Sequence, residues 1–120
     1  MWWEQAKRDY RIAQHNHERG DYEAAVLFCE QSAQKALKAL VLHRTGRAPP
    51  KIHNLAVLGQ LVGVTPKMLG FLTDLTPHYL TTRYPDAAGV VTSKLYSGRI
   101  SLKFLRGTGK VLDWCRTGLR

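Results

Sequence analysis

The sequence lacks the features that mark secreted, membrane-spanning and disulfide-bonded proteins. No apolar run approaches the roughly 18 residues of a membrane span, and the N-terminus lacks the basic region and apolar core of a signal peptide. The two cysteines, Cys29 and Cys115, lie far apart on apolar helical positions, without C-x-x-C spacing. We therefore expect a cytoplasmic protein with no membrane contact, whose cysteines are small buried residues in a reducing compartment. A disulfide between them is the alternative.

Motifs of cofactor and metal chemistry are absent as well. The chain has no P-loop, no G-x-G-x-x-G segment and no Ser-His-Asp arrangement. Its histidines show no metal-ligand spacing with a carboxylate or thiol partner. We predict neither a cofactor nor a metal site.

Acidic residues are scarce relative to basic ones. The chain has 18 Lys and Arg against 9 Asp and Glu, which gives a formal net charge of +9. This excess favours an anionic partner such as nucleic acid, a nucleotide phosphate or an acidic protein. The basic residues are spread along the whole length, so an ordinary solvated surface is the alternative explanation.

Apolar residues recur at intervals of three and four, and no segment alternates as a strand would. The pattern predicts helices over 2–18, 22–44 and 54–62. A fourth helix is capped by Thr65, has Pro66 at its first position and has an apolar side reaching Tyr79, and Ser97 caps a last one. In the third helix we expect Leu55, Leu58 and Leu61 to point inward. The prediction is a single all-α domain over residues 1–120, an up-and-down bundle of four to five helices.

Several residues are expected at helix ends or contacts. Gly20 suits a left-handed helix end, and Asp21 can cap the second helix with its side chain. Gly107 and Gly109 each cost the last helix about 1 kcal/mol relative to alanine. They either allow a neighbouring helix to approach closely or fray the helix.

The second helix carries the first group of candidate binding residues. Gln31, Lys35 and Lys38 are spaced i, i+4 and i+7, which places them on one helix face. Amide and ammonium donors beside an apolar core can hold a phosphate. The alternative is that they are solvent-facing residues with good helix propensity.

The second group lies in the turn Arg83-Tyr84-Pro85-Asp86. Arg83 offers a planar fork for phosphate, and Tyr84 can stack on a base. In the structural alternative, Pro85 fixes the turn, Asp86 caps the next segment, and Arg83 pairs with Asp86 or with a helix C-terminus. His53, which precedes the expected cap Asn54, is interpreted as a hydrogen-bonded helix-entry residue, with a role as ligand or base as the alternative.

The order and spacing of three segments resemble the HEPN family of small all-α domains. The matching residues are Gln31, Lys35, Leu37, Lys38, Ala39 and Leu40, then Pro50, His53 and Leu55, then Tyr79, Arg83, Tyr84, Pro85 and Asp86. Gln34 departs from the family pattern, which has glutamate there, so a salt bridge from that position is absent. The resemblance spans nearly the whole chain.

The resemblance implies an all-α domain that dimerises, is linked to nucleotides and RNA, and is often encoded beside a minimal nucleotidyltransferase. We therefore expect a nucleotide- or RNA-phosphate-binding module that partners a minimal nucleotidyltransferase in a toxin–antitoxin-type pair. The candidate site residues are Arg83, Tyr84, Asp86, Lys35, Lys38, Gln31, Tyr79 and His53. The expected homodimer seam involves Trp2, Trp3 and the segment of Gly107 and Gly109.

The family's ribonuclease toxins carry an Arg-x(4–6)-His motif that this chain does not repeat after Arg83. Arg11 and His17 fit the spacing, but they lie in the first helix. Ribonuclease activity of the usual family type is therefore not expected. A metal-independent endoribonuclease toxin with a composite site across a dimer is the alternative function, and a purely structural dimerisation domain is the second alternative.

Overall fold

A computed structural model describes residues 1–79 and 95–120, and five helices lie in these two ranges. They are α1 (Trp2–Glu18), α2 (Tyr22–Thr45), α3 (Leu55–Val62), α4 (Pro66–Leu75) and α5 (Gly98–Gly118). The predicted all-α bundle is confirmed. The predicted turn at Arg83, Tyr84, Pro85 and Asp86 lies outside the described residues. Over the two described ranges, no helix is both long enough and apolar enough to cross a membrane.

Helix α2 is the centre of the bundle, since α1, α3 and α5 all pack against it. Its core side chains are small or medium in size, which lets its neighbours approach closely. The fully buried apolar residues of α2 are Ala25, Val26, Cys29, Ala33, Ala36, Leu37 and Leu40. Between residues 29 and 41 only Gln31 and Lys35 are partly exposed. Nearly the whole circumference of this stretch is therefore covered by the other helices.

Two polar contacts fix α1 against α2. The Ser32 hydroxyl donates a hydrogen bond of 2.7 Å to the backbone carbonyl of Ala6. The Lys35 ammonium lies 2.6 Å from an Asp9 carboxylate oxygen, and Asp9 is only 6% exposed. Removing one member of a buried ion pair leaves an uncompensated charge. This pair therefore favours the one register of α1 against α2 in which Lys35 meets Asp9.

Most of the predicted helix ends are confirmed. Asn54, Thr65 and Ser97 each accept hydrogen bonds from backbone N–H groups in the first turn of the helix that follows. The prediction for Asp21 was wrong, because its side chain makes no capping hydrogen bond. Its backbone at φ −86° and ψ 70° lies outside the extended region of a capping residue. The Asp21 carboxylate instead lies 3.7 Å from the Arg19 guanidinium.

The expectation that Leu61 points inward was also wrong, since Leu61 is 59% exposed. The buried side of α3 runs through Leu55, Leu58 and Val62, at i, i+3 and i+7. Leu61 is six positions after Leu55 and therefore about 240° around the helix, on the far side. Among the described residues, α4 ends at Leu75, before the predicted limit of Tyr79.

The two cysteines are buried and free, as predicted. Desolvation raises the pKa of the Cys29 thiol to about 12, and burial does the same for Cys115. Both thiols are therefore protonated at neutral pH and behave as core residues rather than nucleophiles.

The glycines of α5 are positions of close approach, which decides between the two sequence-based alternatives. A Cβ atom at Gly107 would lie 2.1 Å from Cε1 of Phe71, on α4. A Cβ atom at Gly109 would lie 2.7 Å from the Tyr10 hydroxyl, which donates a hydrogen bond to the carbonyl of Leu105. Side chains from α4 and α1 thus fill the space that each missing Cβ leaves.

We predict that Gly107→Ala destabilises the protein by about 1–2 kcal/mol, because the Phe71 ring must leave its place against α5. The matched control is Gly70→Ala on α4, where nothing lies within 4 Å of the added Cβ. That change should stabilise the protein by up to about 1 kcal/mol through helix propensity alone. Urea unfolding followed by circular dichroism measures both. An unchanged midpoint for Gly107→Ala would show that close packing does not hold the ring there.

Candidate functional site

A polar network begins at Glu30, in the middle of α2. Glu30 is fully buried, and its two carboxylate oxygens accept hydrogen bonds from the side-chain amides of Gln31 at 2.6 Å and Gln34 at 3.1 Å. A buried carboxylate is costly unless hydrogen bonds or opposite charges compensate it. The two amides therefore orient the Glu30 carboxylate inside the bundle.

The network continues from α2 to the segment before α3. The Gln34 amide oxygen lies 3.3 Å from Nδ1 of His53. The His53 ring stacks on Tyr79, with ring centroids 4.4 Å apart and planes only 13° from parallel. Glu30, Gln34, His53 and Tyr79 thus form a continuous chain of contacts from the core to the last described residue before the Arg83 turn.

Lys38 lies within the electrostatic reach of the same carboxylate. Desolvation lowers the pKa of the Lys38 ammonium, and the negative charge of Glu30 opposes that shift. The ammonium also lies 5.4 Å from the centre of a Trp2 ring, and the residue is only 6% exposed. Lys38 is therefore a sheltered cation between Trp2 and the network rather than part of an open face.

Lys35 occupies a different environment from Lys38. Its ammonium pairs with Asp9 on α1. The two lysines differ by three positions, which turns their side chains about 60° apart around the helix axis. Lys35 therefore neutralises Asp9 at the α1–α2 contact, and it does not share a common open cradle with Lys38.

The structure brings four of the eight predicted site residues, Gln31, Lys38, His53 and Tyr79, to one network. Lys35 lies beside it, held by Asp9. Arg83, Tyr84 and Asp86 are outside the described residues. Tyr79 precedes Arg83 by four positions in the sequence. The contacts therefore end close to the segment that carries the remaining candidates.

Sequence reasoning missed Glu30 and Asp9, although a signal for each was present. Glu30 is four positions after Val26 and seven before Leu37, so it lies in register with the apolar stripe of α2. Asp9 similarly lies three positions after Ala6 and four before Ala13, two fully buried residues. An acidic residue in register with a buried stripe indicates a buried charge, and such a charge needs a partner from another element.

The spacing match between Arg11 and His17 does not form a site. Residues six positions apart on a helix are about 240° apart around its axis. Arg11 is exposed, whereas Nδ1 of His17 lies 2.8 Å from the Ser101 hydroxyl on α5. The two side chains therefore lie on different faces of α1.

A second histidine, His78, makes aromatic and polar contacts just after the end of α4. Nδ1 of His78 is 2.7 Å from the Tyr96 hydroxyl, and its ring meets Phe104 edge-on at 4.7 Å. Desolvation lowers the pKa of His78, and the positive charge of Lys103 lowers it further. His78 is thus a largely neutral packing residue at neutral pH. Within residues 1–79 and 95–120, no group of three His, Cys, Asp or Glu side chains could hold a metal ion.

The HEPN domain model matches residues 1–117. Among solved structures, the protein TT1696 from Thermus thermophilus has a TM-score of 0.90 at 29% sequence identity, over 98% of this chain and 95% of that chain. An archaeal HEPN homologue, ST0689, has a TM-score of 0.85 at 26% identity, over 99% and 95% of the two chains. No curated protein matches significantly. Because the family model spans almost the entire sequence and the fold agrees along its length, the chain belongs to the HEPN domain family.

Proposed function

We propose that the protein is a HEPN module that binds a nucleotide or RNA phosphate and partners a minimal nucleotidyltransferase in a toxin–antitoxin-type pair. The observation that carries this proposal is the polar network from Glu30 through Gln34 and His53 to Tyr79. Its contacts lead to the segment just before Arg83, the cation best suited to a phosphate.

The network has the chemistry of a positioning device rather than of a phosphate cradle. The Glu30 carboxylate cannot hold a phosphate directly, since like charges repel. It can orient cationic and amide donors that do so. In this proposal Glu30 and Gln34 hold His53 in a fixed position, and Lys38 balances the charge of Glu30 from within the network. A phosphate then binds to His53 and to Arg83 on the outward side.

Stacked rings at the outer end of the network suit a nucleotide rather than a bare phosphate. His53 is exposed and Tyr79 is only partly buried, and their stacking restricts both rings. A base or ribose placed beside such rigid rings loses little additional side-chain entropy on binding. In the proposal, Tyr84 adds a further aromatic surface, and Asp86 holds the turn.

The alternative function is a metal-independent endoribonuclease, and one observation favours it. His53 lies in the network although it is far in sequence from Arg83. A composite site could therefore use Arg83 to stabilise the phosphorane and His53 to move a proton, without the usual Arg-x(4–6)-His spacing. The second alternative, a purely structural dimerisation domain, would give the network no ligand at all.

We predict that Arg83→Ala weakens mononucleotide or RNA binding by about 1–3 kcal/mol, the cost of one charged hydrogen-bond partner. Helical content should be nearly unchanged. The matched control is Arg99→Ala, an exposed arginine on α5, which should bind as the parent protein does. Isothermal titration calorimetry and circular dichroism measure the two properties. A lower melting temperature that Asp86→Ala reproduces, without a loss of affinity, would identify Arg83 as a structural clasp instead.

RNA cleavage should be weak or absent, because no histidine follows Arg83 at the family spacing. The measurement is a gel assay of labelled single-stranded RNA with a metal chelator present. Robust cleavage that both Arg83→Ala and His53→Gln abolish would contradict the binding-module proposal and support the composite ribonuclease.

We also predict a homodimer, with the partly buried Trp2 and Trp3 at its seam. Both rings make cation–π contacts: Lys38 lies over Trp2, and Lys7 and Arg116 lie over Trp3. Sedimentation equilibrium at micromolar concentration should give twice the chain mass of 13.6 kDa, and Trp2→Ala should shift the protein toward monomer. A single species of monomer mass in the parent protein would rule the dimer out.

A further inference from the structure

We infer that the groove between α4 and α5 is a binding surface for single-stranded nucleic acid, separate from the polar network. The groove has a volume of about 700 Å³. Four cationic side chains, Lys67, Lys103, Arg106 and Lys110, line it together with a single carboxylate, Asp74. The inference rests on the proposed function for the class of ligand but concerns different residues.

The cations of the groove are positioned for a linear polyanion. Lys103, Arg106 and Lys110 are spaced i, i+3 and i+7, so they form a row along one side of α5. The row extends over about 10 Å of helix axis. Lys67, at the start of α4, belongs to the opposite wall. A ligand that lies along the groove therefore meets positive charge from both helices.

These four side chains are available to a ligand. All four are exposed, and none of them takes part in an ion pair within the described parts of the chain. Lys103 lies 5.5 Å from the centre of the Phe104 ring, which does not neutralise its charge. Asp74 balances one charge at most. The groove thus has an excess of about three positive charges, which attracts phosphates and raises their rate of association.

The apolar part of the groove contains a rigid aromatic ring. Phe71 is half-buried, and its edge lies against Gly107, where a side chain would overlap it. Its ring centroid lies 6.0 Å from that of Phe104. Bases stack on such fixed rings without sequence preference. A surface that bound phosphates by charge alone would not require an aromatic ring. Cations that flank an aromatic ring are the combination typical of single-strand binding.

An acidic helix from a partner protein is the competing occupant. It would need deep apolar pockets for its anchoring side chains. The apolar lining consists of Met68, Phe71 and Val111, of which Val111 is fully buried and Phe71 is packed against Gly107, and four exposed cations surround it. This lining favours phosphates and bases over an amphipathic helix.

The test compares two double variants of equal charge change. Arg106→Gln/Lys110→Gln removes two cations from the groove, and Arg8→Gln/Arg11→Gln removes two exposed cations from α1. The probe is a fluorescent oligouridylate, followed by anisotropy over a range of salt concentrations.

The groove variant should lose about tenfold or more in affinity. Its slope of log affinity against log salt should shrink by about 1.4, or about 0.7 for each lost phosphate contact. The α1 variant should change little.

Phe71→Leu tests the stacking contribution separately, because it keeps an apolar side chain over Gly107. Affinity for oligouridylate should fall severalfold, whereas affinity for inorganic polyphosphate, which has no bases, should be unchanged. Circular dichroism melting checks that each variant is folded.

Three results would overturn the inference. The first is equal loss of oligouridylate binding in the groove and α1 variants, which would indicate attraction by overall charge. The second is tighter binding of polyglutamate than of oligouridylate, which would indicate an acidic protein partner. The third is loss of oligouridylate binding in Arg83→Ala together with no loss in the groove variant. The effect of Arg83→Ala on mononucleotide binding bears on the proposed function alone. The two proposals can therefore fail independently.

Discussion

The burial of α2 is the constraint that organises the whole bundle. Three helices cover its central stretch, so most polar side chains there are shielded from water and need partners inside the protein. Ser32 bonds a carbonyl of α1, Lys35 pairs with Asp9, and Gln34 joins Glu30 to His53. The directional contacts restrict it to one register against α1 and against the segment before α3.

The same contacts connect stability to the candidate site. A buried carboxylate such as Glu30 contributes little net stability, because its desolvation offsets the hydrogen bonds it gains. Glu30 also orients the Gln34 amide, whose oxygen lies beside His53. The network passes from the core to the stacked pair of His53 and Tyr79, just before the Arg83 segment. Helix packing and site geometry are therefore determined by the same few polar residues.

The cations that produce the formal charge of +9 lie in different surroundings. Lys35 is neutralised by Asp9, Lys38 is sheltered beside Trp2, and Arg116 pairs with Asp113. The groove between α4 and α5, in contrast, collects four cations with one carboxylate. Two kinds of positive charge thus coexist: charges with partners inside the protein, and exposed charges that can meet a polyanion.

Local sequence features were sufficient to predict the helices and the family. Apolar spacing located α1 and α2 to within a residue at each end, and Asn54, Thr65 and Ser97 marked helix starts, because these signals involve neighbouring residues alone. The family motif likewise indicated Gln31, His53 and Tyr79 as candidate site residues, and the fold joins these three in one network. Three other facts emerged from the packing of the helices. Lys35 and Lys38 have different partners, Glu30 is the centre of the network, and Lys67 faces the basic row of α5. These facts depend on which helix lies against which face, and spacing along one helix contains no information about its neighbours.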